Sequence, residues 1–133
     1  MAVTATPIFT QTPKNKFANI TAATTDYTGA TTTNIVTLLT AGANGAKVFE
    51  IVVTVPVTSV AAHAQVFVDD AGAGTLRLFQ TIPVTAVTVS TTVAPYRARA
   101  TFDNFVLSAS SVVKAGVSAI NNPTVVHALY ADY

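Results

Sequence analysis

The sequence contains no cysteine, which excludes a disulfide framework, a thiolate nucleophile and any cysteine-ligated metal. Stability is left to packing and strand pairing. Charge is nearly as scarce: seven Lys and Arg stand against six Asp and Glu, 10% of the chain in all, for a formal net charge of +1. A balance so close to zero gives no electrostatic footprint for nucleic acid or for an anionic membrane surface. Long apolar runs are missing too. The longest, from Val48 to Val57, is broken by Glu50, Thr54 and Pro56 and is too short to cross a bilayer as a helix. The first residues, MAVTATPIFTQTP, have no base before Lys14 and no continuous apolar segment, so they make a poor signal peptide. A soluble chain without an export signal is expected.

What is abundant is Ala, Thr and Val, about half of the 133 residues. Such small side chains each bury little area, and low charge favours association, so the chain is expected to complete its burial in an assembly. Its length suits one domain. Residues 1–16 hold Pro7, Pro13 and several threonines without a sustained period and read as an extended arm. Residues 17–133 read as the folded domain. Within it Phe49, Ile51, Val53, Val55 and Val57 alternate with Glu50, Thr54 and Thr58, as in a half-buried strand, with Pro56 marking an edge or a bulge. HAQVFVDD, AGAG and TLRLFQTIPV read as a hairpin, with Leu76, Leu78, Ile82 and Val84 on one face and Arg77 and Thr81 on the other. LLTAGANGAK reads as a strand end and a turn leading into a central strand, with Asn44-Gly45 supplying positive dihedrals. About eight short strands and no helical stripe predict an all-β, single-domain antiparallel β-sandwich with jelly-roll topology.

No pattern of reactive residues survives inspection. Gly42, Gly45 and Lys47 lack the spacing and the following helix of a phosphate loop. His63 and His127 have neither short spacing for a metal nor a Gly-x-Ser-x-Gly serine to serve. Asp69-Asp70 lacks the alternating ligands of a calcium loop and reads as a solvated turn. No two of the six acids can be paired from sequence as a glycosidase would need. Asn19-Ile20-Thr21 matches a glycosylation acceptor, which carries little without secretion. Arg97 and Arg99 share one strand face, away from Tyr96 and Phe102, and read as a protein contact or a simply solvated pair in preference to a grip on single-stranded nucleic acid. No catalytic, metal or cofactor site is expected, and the chain is read as a non-enzyme.

The opening TATPIFTQTPKN, the segment LLTAGANGAKV and the Ala/Thr/Val-rich β remainder resemble small virion proteins of tailed bacteriophages, in particular capsid decoration (cement) proteins. The resemblance implies a jelly-roll-like subunit, commonly trimeric, made in the host cytoplasm and placed on the capsid exterior. Its partners would be the major capsid protein and sister subunits, with no nucleic acid and no membrane. The lattice would be stabilised by many modest contacts. Residues expected to touch partners are Ile8 and Phe9 of the arm, Lys14, Lys16, Arg97 and Arg99. The alternative is a fibre or receptor-binding module recognising a host glycan or protein, with Tyr96, Tyr130 and Tyr133 as stacking platforms. No internal repeat suggests a fibre shaft.

Overall fold

The computed structural model describes residues 12–119, 121 and 123–133. Its strands are β1 (Thr12–Ile20), β2 (Val36–Thr40), β3 (Ala46–Val55), β4 (Ala62–Asp69), β5 (Leu76–Val84), β6 (Tyr96–Leu107), β7 (Val112–Val117) and β8 (Thr124–Asp132). They form two four-stranded antiparallel sheets, ordered β1-β8-β3-β6 and β2-β7-β4-β5. β1 pairs with β8, β2 with β7, β3 with β6 and β4 with β5. That is one long ribbon turned back at the β4–β5 hairpin. Two further ladders, β3 with β8 and β4 with β7, wrap the ribbon into a sandwich. This is the jelly-roll connectivity.

The core lies between the sheets and is built from small and β-branched side chains. Val48, Ile51, Val53 and Val55 of β3 face Val66 of β4 and Val113 of β7, all of them buried. Branching at Cβ suits the pleated surface, and alternation sends the other residues of each strand outward.

Wrapping leaves two open sides, where the edge strands β1 and β2, and β5 and β6, face each other without a hydrogen-bonded ladder. It also gives each sheet an outer face, and the two differ. On the β2-β7-β4-β5 sheet, Gln65, Phe67 and Leu76 are buried although they stand outside the core register. Residues 21–35, between β1 and β2, lie against this face. The Thr24 amide donates to the Val117 carbonyl at 2.8 Å, and Gln65 Nε2 donates to the Thr24 carbonyl at 3.3 Å. A Cβ on Gly116 would stand 2.9 Å from both Thr24 Cγ2 and Gln65 Oε1, so glycine is what lets the segment approach. Asp26 holds the segment's own turn. Its carboxylate accepts from the Thr28 hydroxyl at 2.6 Å, the Thr28 amide at 2.8 Å and the Thr31 amide at 2.7 Å. Those bonds to Thr28 and Thr31 hold its carboxyl at about 2, below the usual 3.8.

The hairpin over residues 62–84 has the expected strands, but three details of the sequence reading change. First, β3 carries a bulge between Val48 and Glu50. The extra residue turns Phe49 outward, so the core-facing set is Val48, Ile51, Val53 and Val55, while Val57 lies beyond the strand. Pro56 ends this interior strand instead of marking an edge. Second, β5 has an extra residue at Phe79, because Phe67 opposes Leu78 and Val66 opposes Gln80. Leu76 and Leu78 therefore face away from the core and Ile82 and Val84 toward it, so the four do not share a face. Third, Thr12–Lys16 are not part of an arm: they belong to β1 and pair with β8. Residues 1–11 lie outside the described residues.

LLTAGANGAK closes β2 and opens β3, which is indeed interior. Only Gly45 of the Asn-Gly pair takes a positive φ, +89°, and its hydrogen faces the Leu107 carbonyl, which a Cβ would meet at 2.4 Å. The Gly42 amide donates to Asp132 Oδ1 at 3.1 Å, tying this turn to the end of β8.

Replacing Gly116 with valine should force residues 21–35 off the sheet and lower stability by about 1–3 kcal/mol, read as a shifted urea midpoint. Asp26 predicts an acid transition of the same segment. Its depressed carboxyl contributes stability above the unfolded value of 3.8 and loses it as pH falls toward about 2. Amide exchange at Thr28 and Thr31 should accelerate in that window, and Asp26→Asn should remove the pH dependence.

Candidate interaction surface

The outer face of the β1-β8-β3-β6 sheet has no such cover among the described residues. Strand register lays it out in four rows. Asn19, Val125, Thr54 and Arg97 form the first; Phe17, His127, Val52 and Arg99 the second. Asn15, Leu129, Glu50 and Thr101 make the third, and Pro13, Ala131, Lys47 and Val106 the fourth. The bulge adds Phe49 between the last two rows. Phe17 is 64% exposed and Val106 57%, and Phe49 and Leu129 are exposed as well. Apolar side chains thus run obliquely across all four strands, with cations along the β6 side.

Local contacts hold these groups in place. The Phe17 ring stacks on His127 with centroids 4.1 Å apart and planes 4° from parallel, and His127 Nε2 is buried there without a hydrogen-bond partner among the described residues. Lys47 Nζ sits 5.8 Å from the centre of the Phe49 ring. Arg99 reaches Glu50 at 3.9 Å, a loose pair that leaves most of the guanidinium in water. Arg97 stands at the end of the first row, exposed.

The residues expected to touch partners are not brought together. Arg97 and Arg99 lie on this face as anticipated. Lys14 and Lys16 lie on the opposite edge strand, three strand spacings or about 14 Å away, and in the core-facing register opposite Tyr130 and Ala128. There they line the open side between β1 and β2, beside Thr37 and Thr40. Lys14 is bound to Asp132, whose hydrogen bond and charge raise the ammonium above its usual 10.5. It is thus a partner of the fold's own terminus. Ile8 and Phe9 lie outside the described residues.

Sequence reading missed Phe17, Phe49, Val106 and Leu129. The available signal was apolar residues on both parities of one strand, Phe17 beside Ala18 and Ile20, and Leu129 beside Ala128 and Tyr130, where a face open to water would alternate.

The other residues singled out have structural roles. Asp69 accepts from the Gly74 amide at 3.0 Å, and Asp70 Oδ1 accepts from the Ser108 hydroxyl at 2.6 Å, so the adjacent acids shape the β4–β5 turn. His63 and His127 are on different sheets. Among the described residues no three His, Asp or Glu side chains cluster as metal ligands would. The Tyr96 hydroxyl donates to the Pro83 carbonyl at 2.6 Å, and Tyr130 is buried. Tyr130 thus has no ring face open to a ligand, whereas Tyr96, packed against the core, and Tyr133 are half-buried.

No protein-family model matches the sequence, and no curated protein does either.

The new β1 boundary predicts a difference between two truncations. Deleting residues 1–16 should cost about 1–3 kcal/mol more than deleting 1–11, because it also removes ladder bonds to β8 and the Lys14–Asp132 pair. Equal urea midpoints for the two would show that the first half of β1 adds nothing.

Proposed function

We propose that this chain is a structural virion protein that decorates the outer capsid of a tailed bacteriophage. In this reading it bridges neighbouring major-capsid subunits and stabilises their lattice, as a homotrimer. The observation that carries the reading is the asymmetry of the sandwich. One sheet is covered by the chain itself, while the other presents Phe17, Phe49, Val106 and Leu129 beside Arg97 and Arg99. An apolar centre with a basic margin suits a protein surface that offers apolar side chains flanked by carboxylates. Resemblance of the arm, the LLTAGANGAKV turn and the composition to cement proteins supplies the setting.

Area also favours a lattice partner. Four strands about 4.8 Å apart, with four outward residues each about 6.6 Å apart, present a plan area of roughly 400–500 Å². A stable one-to-one interface needs about 800 Å² per partner. A single face is therefore too small to hold alone, and contacts repeated around a trimer and across a lattice make up the difference. Residues 1–11, with Ile8 and Phe9, are proposed as a further contact. Burying those two side chains would contribute on the order of 3–5 kcal/mol before the cost of ordering them.

A receptor-binding role is the second reading, favoured by an aromatic cleft at the open side between β5 and β6, described below, which Val106 borders from the β6 edge of the exposed face.

Capsids stripped of the protein provide the test. Wild-type protein should rebind and restore heat resistance, whereas Arg97→Glu with Arg99→Glu should bind at least roughly tenfold more weakly with an unchanged circular dichroism spectrum. Undiminished binding by that variant would remove this face from the contact. Failure of any form to bind, with impaired host adsorption of particles lacking the protein, would favour the receptor reading.

A further inference from the structure

The open side between β5 and β6 is built differently from the rest of the surface. On β5, the extra residue Phe79 has no cross-strand partner. On β6, Phe105 opposes Val48 while Thr101 opposes Glu50, so residues 102–104 stand unpaired against Phe49 alone and β6 has two residues to spare there. Two irregularities thus lie across the same gap. Phe79 reaches over it and stacks on Phe105, with centroids 4.1 Å apart and planes at 27°, and Phe102 meets Phe105 edge-on at 5.1 Å. One side of the Phe79 ring is packed, yet the residue remains 47% exposed.

Beside this ring is a cleft of about 240 Å³, lined by Phe79, Phe105, Val68, Asp70, Asn104 and Ser111. Val68, Phe79 and Phe105 make its lining largely apolar. Its rim is polar and ordered: Ser108 Oγ donates to Asp70 Oδ1 at 2.6 Å, Ser111 Oγ bonds Ser108 Oγ at 2.8 Å, and the Ala71 amide donates to Ser111 Oγ at 3.0 Å. Neither serine bond to the Asp70 carboxylate uses Oδ2. Asn104 is exposed on the β6 bulge.

We propose that this cleft binds a single sugar ring, stacked on Phe79 with its hydroxyls met by Asp70 and Asn104. The volume falls below the roughly 300–1,000 Å³ of pockets for drug-sized ligands, which suits one ring. A pyranose has an apolar C–H face for an aromatic platform and an edge of paired hydroxyls. A carboxylate oxygen accepts from such hydroxyls, and an amide both donates and accepts. A purely apolar ligand would leave Asp70 Oδ2 and the Asn104 amide, which make no side-chain hydrogen bond among the described residues, without partners and bear their desolvation cost. The site lies on the opposite side of the sandwich from Lys14 and Lys16 and does not depend on the capsid reading. Its failure would leave that reading standing, and the converse holds.

The test is a titration of the ¹⁵N-labelled full chain with glucose, galactose, mannose and N-acetylglucosamine, each to roughly 50 mM, since one ring with few polar contacts binds in the millimolar range. At least one should give saturable amide shifts at Asp70, Phe79, Asn104 and Ser111. Asn104→Ala, on an exposed residue, and Phe79→Leu should each weaken that binding at least roughly tenfold. A melting curve for each variant checks the fold, and Asn104→Ala decides the matter if Phe79→Leu unfolds. Cyclohexanol, with the ring but one hydroxyl, should bind much more weakly. The proposal is overturned if no sugar saturates, if the shifts lie elsewhere, if Asn104→Ala binds as well as wild type, or if cyclohexanol binds as well as the sugars.

Discussion

The turn at the β4–β5 hairpin is the constraint from which the architecture follows. Once Asp69 and Gly74 close that turn, each earlier strand can pair with the next later one, and the ribbon lengthens from its tip: β3 with β6, β2 with β7, β1 with β8. Pairing is progressively less local, so each ladder carries a larger loop-closure cost than the one before. The outermost, β1 with β8, has the least support. From Thr12 to Phe17 β1 is exposed on both faces, with only Ala18 and Ile20 buried. That is where an ion pair, Lys14 with Asp132, and an edge proline, Pro13, are found. The lysines and the proline also blunt the edge against pairing with other chains.

Covering one outer face with residues 21–35 resolves a problem that the composition creates. Valine and alanine fill the space between the sheets but bury little area each, and both outer faces carry apolar residues. The chain can cover one of them because Gly116 leaves room beneath Thr24. Gln65, fully buried under that cover with Nε2 bonded to Thr24 and Oε1 without a partner among the described residues, shows that the cover comes at some cost in polar satisfaction. The second face has no comparable segment among the described residues, and it is there that Phe17 and Phe49 stand exposed.

The sandwich and its hairpin were legible because period-2 alternation and the Asp-Asp-Ala-Gly-Ala-Gly turn are local signals. Facing was legible only up to the first bulge. One extra residue at Phe49 reverses the parity of β3, and another at Phe79 does the same to β5. Nothing in FEIVV or RLFQT marks the insertion, because a bulge is fixed by the partner strand's register. Both inserted residues turn out to be among the exposed aromatics, one on the open sheet face and one over the β5–β6 cleft. Boundaries failed for a similar reason: Thr12–Lys16 have arm-like composition, and only β8 makes them a strand. Arg97 and Arg99 were placed correctly because no bulge separates them from their neighbours on β6.

A formal charge of +1 conceals how the charges are used. Asp69, Asp70 and Asp132 accept hydrogen bonds that hold the turns at one end of the sandwich, and Asp26 does so for the covering segment. Four of six acids are thus committed to the fold. Among the cations, Lys14 alone has a close carboxylate partner, and Arg99 has a distant one. Within the four rows of the open face, Lys47, Arg97 and Arg99 stand against Glu50, while Asp103 falls in the β6 bulge outside the register. Most of the acids are thus fasteners of the fold, and most of the bases are left to the surface. A nearly neutral chain therefore presents a locally basic, apolar-centred face, and a near-zero total charge is compatible with a charge-selective protein contact.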